Sequence, residues 1–256
     1  MAFDHGPNGA FRRRIDLYRR GKGRVIGWVE DDFHHFGVCL DYEEGLVSGL
    51  QVAAERVPWA TCPGAAVPLQ LLVGQRLVAR SSDVGRLIDM RLQCTHLFDL
   101  AGLLLAHAFH GRGRRSYEAV IADRAWEREG DGFRFGPGRA VVWRDEREAM
   151  VWDMDGTDIV GPAPYTGHSI QRGFREWTEG MDVETAEAAT VLRRAVFVSG
   201  GRPRDLDRRA SADTIGFDGV CHSYQPGVRE QAFRIAGATR RFESAADMLG
   251  PQDRFA

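Results

Sequence analysis

Residues 24–57 read RVIGWVEDDFHHFGVCLDYEEGLVSGLQVAAERV. Three runs rich in β-branched and aromatic residues are split by turn material at Asp31–Asp32 and Glu43–Gly45, the pattern of strands joined by hairpins. Upstream, FRRRIDLY (11–18) adds a fourth run across a turn at Gly21–Gly23. Links this short imply antiparallel pairing, because parallel strands need a long crossover. Residues 11–57 therefore read as a β-meander.

Beyond Trp59 the pattern changes. Thr61 or Cys62 can cap a helix, Pro63 suits its first turn, and AAVPLQLLVG runs to Gly74, with Pro68 kinking or delaying it. A stronger helix is expected from Thr95 to His110, with Thr95 as N-cap and Gly111–Gly113 as terminator. Strands return in SYEAVIADRAW (116–126), GFRFGPG (132–138), RAVVWRDE (139–146) and EAMVWDMDG (148–156). SIQRGFREWTEG (169–180) and Val183–Val198 read as helices, and FDGVCHSYQPG (217–227) as carrying a short strand. The order predicts an α+β fold of antiparallel β-meanders packed with helices, rather than a doubly wound sheet. One domain over 1–256 is expected. Its halves, 11–113 and 114–256, have the form of a worn duplication, although no residue-level repeat is visible.

Bulk composition narrows the function. With 34 basic and 36 acidic residues, no charge excess points to nucleic acid. Lys22 is the sole lysine and sits between glycines, a poor place for Schiff-base chemistry. The four cysteines form no CxxC pair, so free thiols in a reducing cytoplasm are expected. MAFDHGPNGAFRRR lacks the apolar stretch of a signal peptide, and Leu97 to Phe109 is too short and too polar to span a bilayer. GxGxxG, Walker, GxSxG and HExxH motifs are missing, which removes the commonest nucleotide, hydrolase and zinc-protease readings.

Ionisable residues concentrate in 28–110. On the expected helix, His96, Asp99, Leu103, His107 and His110 share one face, while apolar residues cover the rest. A helix apolar nearly all round is buried, so its polar stripe must meet partners or line a wet cavity. His96 and Asp99 are close enough to interact, and an acid beside an imidazole raises its basicity. His107 and His110 lie roughly 16 Å further along and more plainly complement the helix end.

In Glu30-Asp31-Asp32-Phe33-His34-His35, an extended chain would face His34 with Asp32 and Phe36, and His35 with Asp31 and Phe33. A solvated hairpin tip is the bland alternative. Cys62, at a helix start, would have its thiol pKa lowered and serve as nucleophile, metal ligand or anion-site wall, with a small packed residue as the plain alternative. Trp59 could stack an aromatic ligand or simply fill the core.

VEDDFHHFGVCL (29–40), ERVPWATCPGA (55–65) and QCTHLFDLAGLLLAHA (93–108) together resemble a bacterial domain-of-unknown-function family. The similarity covers about residues 11–125, with FDGVCHSYQPG as a weaker echo. Proteins that look like this occur in aromatic-degrading alphaproteobacteria. The resemblance implies kinship to lyases that open lignin-derived phenylcoumarans to stilbenes with release of formaldehyde. That reaction suits the residues present: His34 or His35 with Asp32, and His96 with Asp99, could supply its bases. Trp59, Cys62, Phe33, Tyr117 and Tyr224 would hold a small aromatic substrate. No cofactor or metal is expected, nor nucleic acid or membrane; a homodimer is the prior. Two rival readings remain: a metal-dependent enzyme with His and carboxylate ligands, and a non-catalytic small-molecule-binding protein.

Overall fold

The alternation in 11–57 becomes four strands: β1 (Ala10–Arg19), β2 (Arg24–Asp31), β3 (His35–Glu43) and β4 (Leu46–Arg56). A computed structural model describes residues 9–129, 132–204, 206–215, 219–250 and 253–255. β2 pairs antiparallel with β3 from Arg24–Asp41 to Glu30–His35, and β3 with β4 from Glu43–Leu46 to His35–Arg56. Val25 to Asp31 are all buried, so β2 is covered on both faces. On one face Gly27 makes room for leucines of a strand and a helix: a Cβ there would lie 3.0 Å from both Leu17 and Leu100. On the other face Gly37 makes room for Trp28 and Phe255.

Between the meander and the main helix, the single helix expected from Thr61 to Gly74 is broken. α1 (Ala66–Leu69) is flanked by tighter turns at Cys62–Ala65 and Gln70–Leu72. Pro68, which has no N–H to donate, sits inside it. α2 (Thr95–Phe109) matches the expected helix apart from its cap. Cys94, not Thr95, is the N-cap, because the Phe98 N–H already bonds the Cys94 carbonyl at 2.9 Å. The helix stops at Gly111, whose φ of 62° reverses the chain while the Arg112 N–H returns to the His107 carbonyl. α2 packs on β2 and β3.

The rest comprises β5 (Arg114–Ala122), β6 (Trp126–Glu129), β7 (Gly132–Phe135), β8 (Gly138–Arg144), β9 (Arg147–Asp155), β10 (Asp158–Gly161), α3 (Phe174–Glu179) and α4 (Val183–Ser199). Eight strands form an antiparallel sheet in the order β10-β9-β8-β5-β1-β2-β3-β4, and β6 and β7 form a separate pair. The fold is α+β. The chain divides into two compact units, one of residues 1–13, 117–204 and 242–245, the other of residues 14–116, 205–241 and 246–256. In the first, α4 packs on β8 and β9, capped by Asp182, whose carboxylate accepts the Thr185 N–H at 3.0 Å. In the second, α2 covers the β2–β3 hairpin.

The strand expected in FDGVCHSYQPG is not formed by its described part. His222–Tyr224 make a tight helical turn, closed by the Tyr224 N–H on the Cys221 carbonyl. The His222 N–H is taken by the Gln93 carbonyl, which anchors the segment to the start of α2 instead of a sheet edge. Phe217 and Asp218 lie outside the described residues. Cys39, Cys62 and Cys94 are buried thiols, and Cys221 is half-buried. Among the described residues no helix is long and apolar enough to cross a membrane.

Candidate functional site

β2 ends in a turn that does most of the positioning. The Asp31 N–H bonds the His34 carbonyl at 2.8 Å, and Asp31 Oδ1 accepts the N–H groups of Phe33 and His34, each at 2.9 Å. A side chain that bonds backbone two and three residues ahead is a standard use of aspartate in turns. It bends the chain, so the strand-like alternation expected here fails. His34 consequently faces Asp31, not Asp32, with Nδ1 3.0 Å from Oδ1.

α2 supplies the other half. His96, in its first turn, brings Nε2 to 3.7 Å from Asp31 Oδ2. The two imidazoles lie almost face to face, centroids 3.7 Å apart and planes 31° from parallel. Phe36 flanks both rings at about the same distance, 6.0 Å from His34 and 6.1 Å from His96. Phe33 meets His34 edge-on. Asp31 is fully buried, whereas the His34 and His96 side chains keep 13% and 9% of their surface exposed. One carboxylate thus bridges imidazoles from the hairpin and the helix. The acid facing His96 Nε2 is Asp31, where the sequence pointed to Asp99; Asp99 is half-buried one turn further on.

The remaining expected acid–base residues are placed otherwise. Asp32 is buried, and its Oδ2 takes Arg241 Nη1 at 3.0 Å. His35 pairs with Glu30, not Asp31, at 3.7 Å and leans on Trp28. Burial lowers its pKa more than Glu30 raises it, with Arg56 adding to the depression, so the folded chain favours neutral His35. His107 is fully buried, while exposed His110 places Nε2 2.9 Å from the Ala79 carbonyl.

Arg56 locks the turn from beneath. Its guanidinium donates to the carbonyls of Asp31, Asp32, His34 and Ala238 and to Glu30 Oε1. Five acceptors on one planar fork fix the backbone that carries Asp31 and His34. Asp31 was expected to face His35, not His34 and His96, and Arg56 was not among the expected residues. The turn signal at Asp31–Asp32, not the alternation, carries the role of Asp31.

Of the expected substrate residues, Phe33, Trp59, Cys62 and Tyr224 belong to the second unit and Tyr117 to the first. Trp59 is buried, edge-on to Tyr224 and beneath the Arg234 guanidinium. Cys62 is buried with Sγ 3.4 Å from Ser223 Oγ, and Thr61 donates to the same hydroxyl. Burial raises the Cys62 pKa despite these hydrogen bonds, so the helix-start activation expected of it is overturned. Phe33 is at the imidazole pair. Tyr117 is buried in the first unit, its hydroxyl donated to Glu187.

Residues 18–110 are similar to a family described only as a protein of unknown function, DUF2889. The match contains Asp31, His34, Arg56, Trp59, Cys62 and His96 and excludes Tyr117 and Tyr224. No curated protein matches the chain.

Proposed function

We propose that this chain is a lyase that opens a lignin-derived phenylcoumaran to a stilbene and releases formaldehyde, with Asp31, His34 and His96 as its proton-transfer centre. The observation supporting an enzymatic role is the meeting of two imidazoles, from a hairpin and a helix, on one buried carboxylate. Buried ionisable groups are costly, and a carboxylate that orients an imidazole is the usual arrangement of a general base. The substrate class comes from the family resemblance.

The chemistry matches this equipment. A para-phenol loses its proton, and its electrons expel the aryl ether oxygen to give a quinone methide; the departing phenoxide takes up a proton. The γ-hydroxyl then loses its proton and becomes the carbonyl of formaldehyde as the Cβ–Cγ bond breaks. That electron pair forms the stilbene double bond and restores the aromatic ring. The reaction is redox-neutral and requires only proton transfers. One imidazole removes the hydroxyl proton and the other supplies the phenoxide, while Asp31 orients both. Phe33 and Phe36 give the rings an apolar surround.

The test is incubation of purified protein with a phenylcoumaran, following formaldehyde and stilbene absorbance together. Equal yields of both products are expected, with His34→Gln and His96→Gln each lowering turnover by about 10²–10⁴-fold. Circular dichroism checks that the variants fold. No product from folded wild-type protein, or full activity in both variants, would contradict the reading.

A further inference from the structure

We infer that Asp31, His34 and His96 also form a binding site for one divalent transition-metal ion, and that this ion competes with the proton-transfer role of the same imidazoles. The competition rests on the lyase reading; the site itself rests on geometry alone.

Each of the three residues offers a ligand atom, and these atoms lie within 4.8 Å of one another. Bonds of about 2.0–2.2 Å arranged tetrahedrally place neighbouring ligands about 3.4 Å apart. The observed 3.0 Å from His34 Nδ1 to the Asp31 carboxylate and 3.7 Å from His96 Nε2 straddle that value. The two imidazole donors lie within the same 4.8 Å limit, and loading an ion requires the facing rings to turn their nitrogens toward it. Two imidazoles and one carboxylate suit zinc or ferrous iron, and three protein ligands leave open positions for solvent or a ligand.

The surroundings also resemble support for an ion. Metal-bound imidazoles usually have the second ring nitrogen fixed by a neighbour. His96 Nδ1 has Cys94 Sγ at 3.9 Å, and an Nδ1–H directed at that sulfur turns the Nε2 lone pair toward Asp31. Asp31 is held by two backbone N–H bonds, and the turn carrying it is held by Arg56. The donors come from a turn and a helix far apart in sequence, which is why no short ligand motif announces them. A lone pair engaged by an ion cannot accept a proton, so loading should silence the base.

Cobalt(II) is the probe, added to metal-stripped protein and followed by its visible spectrum, with zinc calorimetry for stoichiometry. One equivalent should bind, with a spectrum typical of nitrogen and oxygen ligands. His34→Gln and His96→Gln should each weaken binding by more than about tenfold, as should Cys94→Ala to a lesser degree. His110→Gln, on the exposed end of the helix, should leave binding unchanged. Less than a tenth of an equivalent on folded wild-type protein overturns the site, as does undiminished binding in both folded ligand variants. Phenylcoumaran turnover should fall on addition of zinc and recover with a chelator; turnover that rises with zinc overturns the competition. Turnover without ion binding removes this inference and spares the lyase reading. Ion binding without turnover, in stripped or loaded protein, removes the lyase reading and spares the site.

Discussion

The Asp31 carboxylate accepts two backbone N–H groups on one oxygen and presents the other toward His96, so a single side chain both shapes the turn and joins it to the helix. Cys62 behaves in the opposite way. It stands at a helical start beside Pro63, yet burial dominates its environment and raises its pKa. Burial likewise raises Cys39 and Cys94. The folded chain therefore holds these thiol protons to higher pH than the unfolded chain does. Their contribution to stability is fully present below the ordinary thiol value of about 8.5. It is lost as pH rises through the higher folded values. Iodoacetamide at pH 8 should consequently modify Cys62 far more slowly in native protein than in denaturant, as peptide mass spectrometry would reveal. Equal rates would show an accessible, activated thiol. The residue types of the centre were legible in EDDFHHF and THLFD, but not the pairing. Which acid meets which imidazole depended on a turn hydrogen bond that alternation ignores.

At the scale of elements, the meander and α2 were readable because apolar periodicity and glycine stops act locally. Gly111 ended the helix where a positive φ was required. The Cys62–Leu72 stretch was harder, since its short turns are set by packing and by Pro68, not by a repeating pattern. A glycine in a helix interior costs stability on propensity alone, and α2 carries one at Gly102. In the structure it is a contact: a Cβ there would come within 2.4 Å of the Ser81 carbonyl. Alanine would gain helix propensity of about 1 kcal/mol but push the helix off a backbone oxygen that cannot rotate aside. Gly102→Ala should therefore lower stability, by about 1–3 kcal/mol as overpacked sites do. Chemical denaturation would measure it, and a more stable variant would refute the close approach.

Within the second unit, distant segments return to the turn that carries Asp31. The Arg240 N–H bonds the Asp32 carbonyl, Arg241 pairs with Asp32, and the Leu249 N–H bonds Glu30. Phe255 packs against Trp28. None of these contacts has a local signature, so sequence reading could place the hairpin histidines but not the clamp around them. Everything proposed for function depends on the hairpin and helix imidazoles sharing one carboxylate. Long-range ¹H–¹⁵N spectra of the histidine rings, recorded for wild type and Asp31→Asn, address that dependence without needing substrate or ion. The nitrogen resonances of both His34 and His96 should move on substitution, while those of His110 stay fixed. A shift confined to His34, with His96 unchanged in a folded variant, would contradict the account.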